Sequence, residues 1–302
     1  MPESLTPSKT VRVVCFFDDG VSKSSTCSYL IVDEATKECA VLDAVWDFEQ
    51  ASGTLSSTSI DAMMSVVKAQ GLKVVWALAT HAHADHVDGA KIIKDRTGAP
   101  MGIGAPIRKV QSTFQEVYNV DAVTPDGSEF DHYFGDGETF QIGKTSVRVM
   151  FTPGHTPACV SYVVNEEAVF VGDTLFASDA GTARCDFPNG SAEQLYESVS
   201  KLLALPEATE MFLCHDYQPG GRELVYRTTV AEQRASNKHV KDGTSKEDYV
   251  TMRTERDATL NFPRLLYPSI LLNIRGGRLP TPESNGKSYL KTPIQVKTDS
   301  AL

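Results

Sequence analysis

The sequence predicts an α/β protein built as a four-layer αββα sandwich, in which two β-sheets face each other and helices cover both outer sides. Strand and helix patterns follow one another along the 302 residues in the order strands, helix, strands, helix. One strand pattern is apolar throughout, as expected for a strand that is covered on both faces. Hydrophobic residues make up 41% and charged residues 23%, which is typical of a globular protein and excludes a disordered or fibrous chain.

The first half of the chain is predicted to form a meander of three strands, a helix and a fourth strand. Each strand is a short apolar or β-branched run bounded by polar turns. Apolar residues at helical spacing, which end before Gly71, indicate the helix. The predicted elements are the strands Val11–Phe17, Cys27–Asp33, Ala40–Ala44 and Val74–Ala79 and a helix over residues 60–69.

The second group of strands follows a helix over Asp88–Arg96 and a long polar stretch, which contains one helical piece over Ile107–Tyr118. Ser191 and Gln194 have the spacing of a capping box, which predicts the start of a further helix. The predicted elements are the strands Thr139–Ile142, Val147–Phe151, Val160–Val164, Ala168–Val171 and Met211–Cys214 and the helices Ala192–Leu205, Thr228–Ser236 and Lys246–Leu260.

Charge divides the chain into an acidic body and a basic end. Residues 222–302 hold 14 Lys and Arg against 9 Asp and Glu, whereas the preceding 221 residues hold 15 against 30. The segment Phe262–Pro293 is rich in Pro, Gly and Arg and is expected to wrap around the body. We predict a single structural domain, with a catalytic core over residues 1–222 and a helical and irregular basic C-terminal extension over residues 223–302 packed on it.

Composition also limits the partners and the compartment. The net charge of −10 argues against nucleic-acid binding, which needs a basic face. No apolar stretch is long enough to span a bilayer, and the start of the chain lacks a signal or transit pattern, so a cytoplasmic protein without membrane partners is expected. The six scattered cysteines suit reduced thiols. The oligomeric state is left open, with a homodimer among the alternatives.

Histidines are concentrated directly after the apolar strand Val74–Ala79. Three of the seven fall within His81–His86, which reads His-Ala-His-Ala-Asp-His. The carboxyl end of a strand is where α/β folds place ligands. Alternation puts His81 and His83 on one side of the extended turn, and Asp85 follows where the chain begins to coil, so four ligands can converge. This spacing favours a metal site over an exposed polar loop.

Three later strand ends carry the same types of side chain. They are His155, Asp173 and His215, each a few residues beyond a predicted strand. A single histidine or aspartate at a strand end usually forms a structural hydrogen bond. Three of them in addition to the ligand types in His81–His86 favour a shared metal site over chance. Nitrogen and oxygen ligands without a thiolate suit Zn, Fe or Mn.

One cysteine and two histidines are expected to lie outside this site. Alternation points Cys214 away from His215 and into the core. His132 and His239 lie in polar segments and are interpreted as surface residues.

Four motifs resemble those of the metallo-β-lactamase superfamily. That resemblance implies the αββα sandwich with a metal site between its sheets. The motifs are Thr-His-Ala-His-Ala-Asp-His at 80–86, Thr-Pro-Gly-His-Thr at 152–156, Val-Gly-Asp at 171–173 and Cys-His-Asp-Tyr at 214–217.

Within the superfamily, the chain resembles the persulfide dioxygenases from about residue 27 to residue 280. The resemblance is carried by Gly-Thr-Ala-Arg-Cys-Asp-Phe at 181–187, His-Asp-Tyr at 215–217 and Asn-Ile-Arg-Gly-Gly at 273–277. Thr182 stands where some relatives carry a cysteine. The resemblance adds mitochondria as an alternative location.

The resemblance implies one Fe(II) per chain, held by His81, His155 and Asp173. Two imidazoles and one carboxylate form the facial triad of non-heme iron oxygenases, which leaves positions open for substrate and O₂. The implied reaction oxidises the sulfane sulfur of glutathione persulfide, or of a similar small persulfide, to sulfite and releases the thiol. Four further residues would orient the ligands and take up protons, or form a second metal site: His83, Asp85, His86 and His215.

Tyr217, Arg184 and Asp85 are the candidate catalytic residues. Tyr217 is expected to hydrogen-bond the bound oxygen or persulfide, with an ordinary buried tyrosine as the alternative. Arg184 is expected to pair with Asp186 and to shape the loop over the metal rather than to contact the substrate.

Arg275 is the candidate substrate-binding residue. An acidic body repels an anionic persulfide unless positive charge lies at the pocket mouth, and a guanidinium can grip a carboxylate with two hydrogen bonds. The alternative is that Arg275 braces the C-terminal segment against the body.

A glyoxalase II-type thioester hydrolase is the main rival, because it uses the same ligand types to hold two zinc ions. Ligand identity does not separate the two readings, but the Arg184 segment, Tyr217 and Asn273–Gly277 favour the dioxygenase. A non-catalytic sulfur-binding module is disfavoured, since no ligand is missing. In the two-metal arrangement, His81, His83 and His155 would hold one ion. Asp85, His86 and His215 would hold the other, and Asp173 would be shared by both ions.

Overall fold

Two β-sheets lie face to face, and helices cover the outer side of each, so the predicted αββα sandwich is confirmed. The computed structural model describes residues 4–5, 11–120 and 128–294. Residues 121–127 of the predicted polar stretch, and the end of the basic extension beyond residue 294, lie outside the described residues.

The elements follow the predicted order. The strands are β1 (Ser4–Leu5), β2 (Val11–Phe17), β3 (Cys27–Asp33), β4 (Glu38–Leu42), β5 (Val45–Glu49), β6 (Thr54–Ser56), β7 (Lys73–Leu78), β8 (Val87–Asp88), β9 (Met101–Gly104), β10 (His132–Phe134), β11 (Thr139–Ile142), β12 (Thr145–Phe151), β13 (Val160–Val164), β14 (Ala168–Phe170), β15 (Glu210–Phe212) and β16 (Arg227–Thr229). The helices are α1 (Thr58–Ala69), α2 (Ala90–Thr97), α3 (Ile107–Tyr118), α4 (Ala192–Leu203), α5 (Val230–Ser236), α6 (Lys246–Asp257) and α7 (Leu266–Asn273).

The two main sheets are both mixed. The first has the order β1-β2-β3-β4-β7-β9-β10, with β4, β7, β9 and β10 parallel, and the second has the order β11-β12-β13-β14-β15-β16, with β14 and β15 parallel. A small third sheet, β6-β5-β8, lies beside them. The strands β7, β14 and β15 each belong to a parallel pair, and a predicted ligand motif follows the carboxyl end of each.

Strand β3 shows how the layers form. All seven of its residues are buried, because each face of the strand has a cover. Tyr29 and Ile31 face the second sheet, and Leu30 and Val32 face the helices α1, α2 and α3. Period-two alternation thus distributes one apolar run between two cores.

Helix α4 begins where it was predicted, but only half of the expected capping box is formed. The Ser191 hydroxyl accepts a hydrogen bond from the Gln194 amide at 3.2 Å. The Ser191 amide donates instead to the Gly154 carbonyl at 2.8 Å. This contact ties the start of α4 to the loop that carries His155.

The segment Phe262–Pro293 contains a helix in its first part, which was not predicted individually. Leu266–Asn273 forms the helix α7, whose Leu266, Ile270 and Leu271 join the core on the outer side of the first sheet. Pro268 lies in the first turn, where no intrahelical N–H bond is lost. Strands β9 and β10, within the stretch interpreted as polar loop, and the short β5, β6, β8 and β16 were also not predicted.

Among the described residues, no helix is long and apolar enough to cross a bilayer. All six cysteines are buried with free thiols, as the scattered spacing predicted.

Candidate metal centre

The structure brings together all seven ligand-type residues that the motifs predicted. His81–His86 follows β7, His155 follows β12, Asp173 follows β14 and His215 follows β15. The five histidines and Asp173 are each at most 6% exposed, and Asp85 is partly exposed to the cavity described below. The strand-end argument therefore holds for every member of the set.

Asp173 lies at the centre of the cluster. Its Oδ2 is 3.8 Å from His81 Nε2 and 3.6 Å from His155 Nε2. Its Oδ1 is 3.3 Å from His215 Nε2, which is in turn 3.6 Å from Asp85 Oδ2. The ligand atoms of His81, His155 and Asp173 all lie within 4.8 Å of one another, close enough to share one ion.

Two glycines let the ligand loops approach their neighbours. Gly154 has φ +142°, and a Cβ there would lie 2.4 Å from the backbone of Leu195 in α4. Gly172 has φ +53°, and a Cβ there would lie 2.9 Å from the Thr80 side chain. Side chains at these positions would push the loops bearing His155 and Asp173 out of place.

Backbone carbonyls fix the orientation of two imidazoles. His155 donates from Nδ1 to the Arg184 carbonyl at 2.8 Å, and His215 Nδ1 lies 3.3 Å from the Ser25 carbonyl. Since a carbonyl only accepts, Nδ1 carries a hydrogen in both residues, and Nε2 is the nitrogen that faces Asp173. Such outer hydrogen bonds are the usual way in which a protein holds a metal-binding histidine.

Buried Asp43 fixes two more imidazoles, and sequence reasoning missed it. Its carboxylate accepts from the Thr80 amide at 2.7 Å, from the Thr80 hydroxyl at 3.0 Å and from His83 Nε2 at 3.0 Å. The Thr80 hydroxyl can then accept from His81 Nδ1 at 3.0 Å. Burial raises the pKa of Asp43 to about 6. The only signal was an acidic residue inside the apolar run Ala40–Ala44.

Several buried polar atoms of the cluster have no hydrogen-bond partner in the described part of the chain. A buried polar atom without a partner costs about 1–3 kcal/mol, so these atoms require a ligand. A cation bound between them would satisfy them together, and imidazole nitrogens with carboxylate oxygens suit iron or zinc. The atoms are His81 Nε2, His83 Nδ1, His86 Nε2, His215 Nε2 and Asp173 Oδ1.

The charges and pKa shifts within the cluster also favour binding of a cation. Burial and His83 lower the pKa of His81 well below its usual value, which leaves a neutral imidazole able to bind a metal. Burial lowers the pKa of His215, but Asp173 and Asp85 raise it by more, so the net shift is upward. The two carboxylates thus attract a cation to the position that the imidazoles surround.

A cavity of about 460 Å³ opens onto this cluster. Asp85, His155 and Asp173 form its floor, and apolar side chains such as Phe176 and Phe187 line its walls. Its volume is suited to a small-molecule substrate. A second cavity, of about 530 Å³, is lined by none of the seven ligand-type residues.

Tyr217 and Arg184 both line the metal cavity. The Tyr217 ring stacks on that of His215, with the planes 12° apart and the centroids 5.7 Å apart, and 57% of the residue is exposed. The expected Arg184–Asp186 pair is present, with two contacts of 2.6 Å, and Arg184 also donates to the Asn261 carbonyl at 2.8 Å. Because the Arg184 carbonyl accepts from His155, this pairing supports a metal ligand.

The prediction that Cys214 points away from the site is wrong. The thiol is buried, lies 3.7 Å from Asp43 Oδ2 and shares a cluster with His83 and His215 in which ligand atoms lie within 4.8 Å. Alternation fails because β15 ends at Phe212, so Cys214 is already in the loop.

Asn273 holds the His81–His86 loop from the far side. Its side-chain amide donates to the carbonyls of His83 at 2.8 Å and His86 at 2.9 Å, and its oxygen accepts from the Asp88 amide at 2.8 Å. The closing Asn273–Gly277 segment therefore acts on the metal loop through Asn273.

Arg275 does not line the metal cavity. It is only 9% exposed, and its Nε has no hydrogen-bond partner within the described residues. Contact with substrate stays a prediction that the position of the residue does not support. Burial at the end of α7 fits the alternative, in which Arg275 braces the extension.

The two histidines interpreted as surface residues differ in the structure. The His132 side chain is 41% exposed and pairs with Glu138 at 2.6 Å, but the prediction for His239 is wrong. His239 is buried against Gly181, and its Nδ1 accepts from the Thr182 amide at 3.0 Å. Burial and the nearby Arg253 lower the pKa of His239 to about 4.

His239 should make the protein less stable in mild acid. The unfolded chain binds a proton near the usual pKa of about 6.5, whereas the folded chain does so only near 4, so the free energy of unfolding falls as the pH falls between these values. His239→Asn keeps an acceptor for Thr182 and does not titrate. Between about pH 7 and about pH 4.5, the free energy of unfolding measured in urea should fall by about 1–2 kcal/mol more in the wild type than in this variant. His132→Asn is the control, and parallel pH profiles for wild type and His239→Asn would refute the assignment.

The chain belongs to the metallo-beta-lactamase superfamily, whose family model matches residues 23–215. "Glyoxylase B2" of Dictyostelium discoideum is 51% identical to it over 90% of this chain and 94% of that protein. "Persulfide dioxygenase ETHE1, mitochondrial" of Bos taurus is 31% identical over 71% of each chain.

Among solved structures, ETHE1 from Myxococcus xanthus superposes with a TM-score of 0.69 at 29% identity, and the match covers 87% of this chain and 98% of that one. Together with the cluster, these relationships define an enzyme of the metallo-beta-lactamase superfamily with a candidate metal centre and a cavity for a small-molecule substrate.

Proposed function

We propose that the protein is a persulfide dioxygenase that uses one Fe(II), held by His81, His155 and Asp173. The observation that carries the proposal is that the three features resembling this branch all touch the metal cluster. The Arg184 carbonyl orients His155, the Tyr217 ring stacks on His215, and Asn273 holds the loop that bears His83 and His86.

The reaction converts one persulfide, one O₂ and one water to one thiol, one sulfite and two protons. Fe(II) supplies the one-electron chemistry that O₂ requires. His81 and His155 offer Nε2, and the Asp173 carboxylate offsets the charge of the ion. Asp85, which lines the cavity beside His215, is the group that would accept a proton from the persulfide.

A second candidate function is thioester hydrolysis at a two-metal site. The specific observation in its favour is that Asp85, His86 and His215 also converge, with the Nε2 atoms of both histidines unpaired in the described structure. The 51% identical relative carries a glyoxylase name. In this arrangement Asp173 would lie between the two ions.

Metal analysis separates the two functions. We expect protein purified without added metal to contain about one iron and little zinc per chain, because the three-residue triad is complete by itself. Glutathione persulfide should then cause O₂ uptake with sulfite release, while S-lactoylglutathione is not hydrolysed. Two zinc ions per chain, with thioester hydrolysis and no O₂ uptake, would establish the second function instead.

A further inference from the structure

Two unpaired cations lie at the mouth of the metal cavity. Lys238 follows α5, Arg256 is in the last turn of α6, and both side chains line the same cavity as His155 and Asp173. His155 and Asp173 are buried, whereas Lys238 and Arg256 are exposed, which places the metal ligands at the floor and the cations at the rim.

The other cations around this cavity are already neutralised. Arg253 is buried and donates from Nε to Asp257 at 2.9 Å. Arg184 is paired with Asp186, as described above. Within the described structure, by contrast, neither Lys238 nor Arg256 donates a side-chain hydrogen bond or lies within 4 Å of a carboxylate.

The mouth has no free acid to balance these charges. Asp179 is the one acidic residue lining the described cavity apart from the metal-cluster carboxylates, and Arg222 holds it through two contacts of 2.6 and 2.8 Å. Lys238 is close enough to Arg256 for the two charges to repel. Partial burial and Arg256 lower the pKa of Lys238, and the opposing effect of Asp179, which Arg222 already holds, does not reverse this shift.

We propose that Lys238 and Arg256 form a carboxylate-binding site at the cavity mouth, which selects thiol derivatives that carry an anionic group away from the sulfur. The inference rests on the proposed function for the position of the sulfur at the metal. The site recognises carboxylate and not ammonium, because Asp179 is occupied by Arg222. A guanidinium and an ammonium placed side by side can share one carboxylate or bind two.

Binding of an unreactive analogue tests the site independently of the reaction. Calorimetry on the metal-containing protein should show that S-methylglutathione binds more tightly than its diethyl ester, in which both carboxylates are masked. N-acetyl-S-methylglutathione, which lacks the ammonium, should bind as tightly as the parent. Lys238→Ala and Arg256→Ala should each weaken binding of the acid by about 5- to 20-fold and leave binding of the ester unchanged.

The matched control is Lys241→Ala, which removes the same charge from the same segment but lines a different groove beside Tyr196. This control should bind like the wild type, and Arg256→Lys should retain most of the affinity. Equal affinity for acid and ester in the wild type, or equal losses for both ligands in Lys238→Ala and Arg256→Ala, would overturn the inference.

Steady-state O₂ uptake then separates this inference from the proposed function. With glutathione persulfide, Lys238→Ala and Arg256→Ala should raise KM by a factor similar to the loss of binding and leave kcat within about twofold. Wild type that binds S-methylglutathione through these residues but consumes no O₂ would contradict the dioxygenase function and leave the binding site established. An active wild type whose KM is unchanged in both variants would contradict the binding site alone.

Discussion

Asp173→Ala should abolish metal binding and activity. Asp173 is the only carboxylate of the proposed triad, and its two oxygens lie within 3.3–3.8 Å of nitrogens of His81, His155 and His215. Without it, one ligand and a charge that offsets Fe²⁺ are lost together. Loss of a group that only orients a ligand costs about 10- to 100-fold in affinity, so loss of a ligand should cost at least that much. Iron per chain and O₂ uptake on the purified variant measure the effect.

His83→Ala distinguishes the one-metal site from the two-metal site. In the mono-iron arrangement His83 lies outside the triad, and the variant should lose activity yet keep a substantial share of its iron. Asp179→Ala is the control carboxylate, because it lines the same cavity but is held by Arg222. If Asp173→Ala and His83→Ala lose metal equally, the mono-iron proposal is contradicted and the two-metal site is favoured.

Asn273→Asp should destabilise the protein and distort its metal loop. The aspartate keeps the oxygen that accepts from the Asp88 amide but removes both N–H groups that donate to the carbonyls of His83 and His86. The two buried carbonyls would then face a carboxylate oxygen. Loss of two buried hydrogen bonds, with their acceptors left unpaired, should lower the free energy of unfolding by about 2–4 kcal/mol.

Urea unfolding and iron content should be measured on the same preparation of Asn273→Asp. Asn285→Asp is the matched control, because it introduces the same charge at an exposed position of the C-terminal segment. A variant with the same stability and iron content as Asn285→Asp would show that Asn273 does not hold the loop. Normal stability with low iron would instead assign to Asn273 an effect on the ligands alone.

Much of the fold could be predicted from the sequence, because successive side chains of the main strands point alternately into two apolar cores. Val11–Phe17, Cys27–Asp33 and Val160–Val164 have the same bounds in the structure as in the prediction. Elements with weaker patterns were missed. Met101–Gly104 is half glycine, and Leu266–Asn273 contains a proline, so tertiary burial rather than local propensity makes the first a strand and the second a helix.

The local order of residues was sufficient to predict the candidate ligand set of this protein. Each candidate ligand follows the carboxyl end of a strand, β7 in the first sheet and β12, β14 and β15 in the second, and this position in the chain is visible in the sequence. Only the tertiary structure decided which groups support and surround those ligands. Asp43, Asn273, Lys238 and Arg256 come from elements far apart in sequence, and no periodic pattern marks them. Asn273, Lys238 and Arg256 reach the site because apolar faces pack the helices of the C-terminal extension against the sandwich, and that packing is a property of the whole fold.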